Sequence, residues 1–252
     1  MKQQAFEIKT SAGTIRGMAY RAEGSGRLPT VMMCHGFTGN RIESGFLFVR
    51  LGRALAGAGV HAVSFDFLNS GESDGSFERM RVSEEIRDAV AVAHWLEGQP
   101  FVDRSRLAGL GFSLGGLVVA GAHRRRGGFA ALALLAPTTA ENLQRVAGES
   151  GGGEPVAVGP YELPPAFFED LAQCDTTSDA ASPVVPTLLA QGTADEAVPV
   201  DVSAKYAHAI EAAGGTVQRV TVEGAGHTFG EPTHQRRVVE AVASFFRENL
   251  CV

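Results

Sequence analysis

Short apolar runs and helically spaced apolar positions take turns along most of this 252-residue chain. Residues 5–10 and 14–22 alternate apolar with polar, the pattern of strands that keep one face in water, and Ser11-Ala12-Gly13 reads as the hairpin turn between them. From residue 30 the pattern changes. Residues 30–36, 61–67, 106–113, 129–137, 187–193 and 217–224 are nearly continuous apolar runs, as expected of strands covered on both faces. Between them lie segments of helical spacing at about 44–58, 82–98, 114–126, 201–213 and 234–249. In the second of these, Val82, Ile86, Ala89, Val90, Ala93 and Leu96 define one buried face, and Ser83 with Glu84 and Glu85 suits a helix start. Strand and helix in alternation predict an α/β fold: an eight-stranded, mostly parallel sheet with helices on both faces and an antiparallel hairpin at one edge.

One connection breaks this rhythm. Residues 139–182 separate two strands that a single helix and two turns would join, and a link of that length is usually functional. It opens with a helical stretch, passes through Gly151-Gly152-Gly153 and continues with a segment dense in proline and aromatic residues. The expectation is a small cap over the carboxyl ends of the strands, where open α/β sheets place their ligands. The chain then divides into a core, 1–138 with 183–252, and an inserted cap, 139–182.

Composition removes several classes of function. With 44% hydrophobic and 20% charged residues the chain is an ordinary globular protein, long enough to bury roughly three quarters of its unfolded surface as one unit. A net charge of −6 gives no footprint for nucleic acid, and the one basic run, Arg124-Arg125-Arg126, closes a predicted helix, where cations meet the helix dipole. Cys34, Cys174 and Cys251 have neither disulfide-framework nor metal-ligand spacing. Neither a secretory leader nor a membrane-length apolar run is visible, so the expected compartment is the cytoplasm and no membrane partner is expected. A homodimer is compatible with all of this.

The chemistry concentrates at strand ends. In Gly111-Phe112-Ser113-Leu114-Gly115-Gly116 a strand precedes and a helix follows, the context in which G-x-S-x-G is a nucleophile elbow. Glycine at 111 and 115 lets strand and helix approach, and the backbone N–H of Leu114, at the helix start, is free to face whatever Ser113 attacks. A serine hydroxyl needs a base and a group to orient that base. His61, His94, His123, His208 and His234 fall in or beside predicted elements, and His35 frames the loop after its strand. His227, on a glycine-rich loop after the last strand, is the candidate base. Asp195, on the loop after 187–193, is the candidate acid. Asp66 is the rival, although the turn that follows it offers N–H groups enough to explain a carboxylate there, while Asp201 reads as a helix cap. A second oxyanion donor is expected from the N–H of Phe37, in the loop that follows His35-Gly36.

With "HGFTGN", "SGESDGSFERM", "GFSLGG", "GTADEAVP" and "GAGHTF" in this order, the chain resembles the α/β-hydrolases from about residue 28 to 249, and more narrowly the bacterial feruloyl (cinnamoyl) esterases. It differs from several of the latter at Leu114, where they carry glutamine. The resemblance implies hydrolysis of small-molecule carboxylic esters through an acyl-serine, without metal or organic cofactor. The expected pocket is apolar, with Phe37, Leu114, Val198 and Phe229 below and Tyr161, Phe167 and Phe168 above. The cap aromatics serve a pocket or a small core of their own equally well. Thioester, amide or peptide hydrolysis, perhydrolysis, and a catalytically silent binding protein are the other readings.

Overall fold

The computed structural model describes residues 1–147, 154–174 and 176–251. Strands β1 (Lys2–Lys9) and β2 (Thr14–Arg21) form the edge hairpin, with Thr10 Oγ1 bonded to the carbonyl of Gly13 across the turn. Strands β3 (Leu28–Cys34), β4 (His61–Asp66), β5 (Val102–Phe112) and β6 (Leu132–Leu135) follow. Within the 139–182 connection lie helix α4 (Ala140–Ala147), a hairpin of β7 (Val156–Val158) and β8 (Tyr161–Leu163), and helix α5 (Pro165–Leu171). Strands β9 (Thr187–Gly192) and β10 (Val217–Val222) complete the main sheet, whose order is β1-β2-β4-β3-β5-β6-β9-β10. Only the β1–β2 and β2–β4 pairings in it are antiparallel. This is the α/β-hydrolase fold, as the apolar runs and hairpin predicted.

Helices α1 (Leu47–Gly57) and α7 (Pro232–Leu250) cover one face, and α2 (Val82–Glu97), α3 (Leu114–Arg126) and α6 (Val200–Ala212) the other. Alternate residues of a strand feed opposite cores: Met32 and Cys34 pack with α2 and α3, Val31 and Met33 with α1 and α7. None of the helices among the described residues is long and apolar enough to cross a membrane.

Three local expectations change. The helix expected from residue 44 begins at Leu47, because Gly45 and Phe46, both at φ 60°, interrupt the turn before it. Ser83 does not cap α2. That helix starts at Val82, and the Ser83 amide and hydroxyl both donate to Asp170 of α5, at 2.9 and 2.5 Å. Asp201 does not cap α6 either, because the helix begins one residue earlier and Pro199 stands at the capping position. Apolar residues of the insertion, Leu143, Leu163, Phe167, Phe168 and Leu171, join the core on the α2–α3 face and form no separate one. Gly151, Gly152 and Gly153 lie outside the described residues.

Candidate active site

Strand β5 delivers Ser113 at φ 54°, ψ −117°, a conformation that side chains rarely adopt. Its backbone is held from both sides: its N–H donates to the carbonyl of Leu135, and its carbonyl accepts from Gly116 and Thr138. The flanking glycines are obligatory. A Cβ at residue 111 would stand 2.1 Å from the Gly115 carbonyl oxygen, and one at residue 115 would stand 2.0 Å from that of Cys34. The first turn of α3 therefore lies directly on the end of β3.

His227, on the loop between β10 and α7, reaches Ser113 Oγ with Nε2 at 3.0 Å and Asp195 Oδ2 with Nδ1 at 2.8 Å. A carboxylate can only accept, so Nδ1 carries the proton and Nε2 is left to accept from the serine hydroxyl. The Asp195 carboxylate is fully enclosed, while the His227 side chain is 22% exposed. Asp195 Oδ1 accepts the amides of Ala197 and Val198 at 3.0 and 2.8 Å, and Oδ2 accepts Gln191 Nε2 at 3.0 Å as well as the histidine. Sequence reasoning passed over Gln191. Its signal was a polar residue inside the otherwise apolar run of β9.

The rival Asp66 is turned to another task. It accepts the Arg41 amide at 2.7 Å, the Arg41 guanidinium and the Glu72 amide, all away from His227. Arg41, also missed from the sequence, ties the segment after β3 to the end of β4.

The amide of Phe37 sits in a turn closed by Gly39 N–H to the Gly36 carbonyl at 3.0 Å, with Thr38 at φ 58°. Among the described residues neither the Phe37 nor the Leu114 amide has a hydrogen-bond partner. His35 anchors this turn. Its Nε2 faces the Phe67 N–H at 3.3 Å and must accept, so Nδ1–H donates to the Gly36 carbonyl at 2.9 Å. Burial holds its pKa below the ordinary histidine value, which keeps this neutral form. The amide of Gly36 donates to Glu43 Oε1 at 2.6 Å.

A cleft of about 460 Å³ reaches this group. Phe112, Ser113 and His227 form its floor, and residues 36–40, Glu43, Ser44 and Thr228 form its walls. The apolar lining expected here is largely elsewhere. Phe229 is fully buried in the core under α7, on the opposite face of the sheet from the insertion. Val198 is 2% exposed and serves Asp195 through its backbone, and the Leu114 side chain is buried in the core under α3. Phe167 and Phe168 are buried as well. The Phe167 ring stacks on Phe37 at 5.7 Å, and Tyr161 meets Phe77 at 4.1 Å, so the insertion's aromatics close over the Phe37 side of the site.

Sheet topology, the strained serine turn and the order Ser113, Asp195, His227 along the chain are those of the α/β-hydrolases, and the chain is a serine hydrolase of that class. The model of the prolyl oligopeptidase family matches residues 74–251, and the chain belongs to that family. An uncharacterized protein of Mycobacterium tuberculosis is 31% identical over 229 residues, 89% of this chain and 71% of that one. An uncharacterized 31.7 kDa protein of Escherichia coli is 35% identical over 94 residues, 37% of this chain and only 32% of the relative's length. Est1E from Butyrivibrio proteoclasticus, in a structure with ferulic acid bound, has the same fold: TM-score 0.84 over 97% of this chain and 98% of that one, at 24% identity.

Proposed function

We propose that the chain is a carboxylesterase that hydrolyses esters of small or aromatic acids through an acyl-serine. The observation that carries this reading is the unbroken hydrogen-bonded line from Ser113 through His227 to a buried Asp195, beside two unpartnered amides. His227 takes the Ser113 proton as Oγ bonds to the ester carbonyl carbon. The amides of Phe37 and Leu114 hold the resulting oxyanion, each worth about 3 kcal/mol in the transition state. The imidazolium, kept in place by Asp195, then gives its proton to the leaving oxygen as the carbon–oxygen bond breaks. Water, deprotonated by His227, attacks the acyl-serine, and the proton returns to Ser113 Oγ. In this reading residues 139–182 act as a cap, and the acyl group meets the aromatic wall of Phe37 and Tyr161, with Phe167 packed behind Phe37. Binding of ferulic acid by the structurally similar Est1E supports an aromatic acyl group. Val198, Phe229 and Phe168 then support the pocket from behind.

The family match favours a second reading, hydrolysis of an amide or peptide by the same machinery. A panel of p-nitrophenyl esters of increasing acyl length, methyl ferulate, a thioester and short peptides separates the two. Brisk ester turnover with slow peptide turnover is expected, and the reverse rejects the esterase. Ser113→Ala should abolish turnover with the fold intact; activity retained in that variant, or no activity in the wild type on any member of the panel, rejects the mechanism. Asp195→Asn should lower kcat by about four orders of magnitude, as for the acid of other triads. If Asp66→Asn alone did this, the acid would be Asp66.

A further inference from the structure

Glu43 brings a carboxylate into the cleft over Ser113 and His227, and nothing in the acyl-transfer chemistry requires it. Its oxygens accept two amides, Gly36 N–H at 2.6 Å and Ser44 N–H at 3.1 Å. The shorter contact needs no charge, because the neutral oxygen of a glutamine would accept from Gly36 equally well, and only the longer one to Ser44 uses the second carboxylate oxygen. The residue also sits at φ 61°, ψ 165°, a backbone region used almost only by glycine.

The charge is uncompensated. Among the described residues Glu43 forms no ion pair, and neither lysine nor arginine lines the cleft. Arg41, two positions away, is committed to Asp66 and Glu72. The other polar walls, Thr38, Asn40 and Thr228, are neutral. The cleft also lies on the side of His227, which hands its proton to the departing atom. The opposite side of Phe37 is closed by Phe167. The leaving group of an ester whose carbonyl lies at Ser113 is therefore the part that occupies the space beside Glu43.

We propose that Glu43 makes the leaving-group side of this cleft a cation subsite, selecting esters whose alcohol carries an ammonium group and turning away esters of anionic alcohols. This rests on the acyl-serine reading given above. One unit charge a few ångströms from a carboxylate in a half-exposed cleft is worth about a tenfold preference. The preference weakens as salt shortens the screening length.

Three acetates that differ in the charge of the alcohol test this: acetylcholine, its neutral isostere 3,3-dimethylbutyl acetate, and anionic 2-sulfoethyl acetate. For the wild type at low ionic strength, kcat/KM is expected to fall in that order, with about tenfold between the first two. The ratio should shrink in 0.5 M salt. Glu43→Gln, which keeps an acceptor for Gly36, should bring the ratio close to one. Asn40→Asp adds a second charge at an exposed position while keeping the acceptor for the Ile42 amide, and it should widen the ratio. A wild-type ratio at or below one, or a ratio that neither substitution moves, overturns the subsite. If none of the acetates is hydrolysed, the p-nitrophenyl ester and ferulate panel decides the esterase reading on its own. Calorimetric titration with choline alone then decides the subsite: binding that Glu43→Gln weakens about tenfold supports it, and absent or equal binding in the two proteins overturns it.

Discussion

Asp195 Oδ2 is shared between His227 and Gln191, so the side-chain amide competes with the imidazole for one oxygen's charge. Removing that donor by Gln191→Met should leave the carboxylate, and with it the imidazole, less firmly placed, and kcat is expected to fall by about tenfold with KM little changed. A residue that served packing alone would lower the melting temperature and leave kcat in place. Ser113, Asp195 and His227 were readable from the sequence because each is a chemistry-bearing type at the end of a predicted strand. Gln191 announced itself only by polarity in an apolar run. Glu43 announced nothing, because its place beside Ser113 depends on the 36–39 turn and on a strained backbone that no spacing rule describes.

Helix α3 and strand β3 meet backbone to backbone at Gly115, and this contact decides how the nucleophile is presented. Gly115→Ala would drive a methyl group into the Cys34 carbonyl. The expected outcome is a loss of about 3 kcal/mol or more, with turnover falling further than the melting temperature predicts because β3 carries the Phe37 turn. Thermal melts and active-site titration on the same sample check both halves. Most strands and helices of the main sheet were legible because their apolar runs are long; β10 is the exception, an edge strand whose Gln218, Arg219 and Thr221 are exposed where a run covered on both faces was expected. Beyond its opening helix α4 the insertion was not legible. Strands β7 and β8 have three residues each and α5 has seven, too few for a period to show. Ser83 misled for a related reason: a helix start can be satisfied by a distant carboxylate, here Asp170, as well as by its own residue.

Across the whole molecule, buried ionisable groups set opposing pH dependences. Burial, helped by Glu84, raises the Asp88 carboxyl to about 6 against the Leu68 N–H and Arg87. An acid raised by folding binds its proton more tightly in the folded chain. Its contribution is therefore fully present below about pH 4, the unfolded value, and is lost as pH rises through 6. His35, His61 and His123 act in the other sense: burial lowers their pKa values, His61 to about 4, so stability is lost as pH falls below the unfolded value of 6.5. Asp88→Asn keeps an acceptor for Leu68 and isolates one side of this balance. Its stability relative to the wild type should be unchanged near pH 4 and higher by on the order of 2 kcal/mol at pH 8. Melting curves at pH 4, 6 and 8 that stay parallel would reject this assignment. The contact of Gly115 with Cys34 has a practical consequence at this scale. The first turn of the helix that follows Ser113 is placed by main chain lying on main chain, with no side chain as spacer. Wall side chains that hold no part of the 36–39 turn, those of Phe37 and Thr228, can then be redesigned for new substrates while Ser113 stays where the backbone puts it.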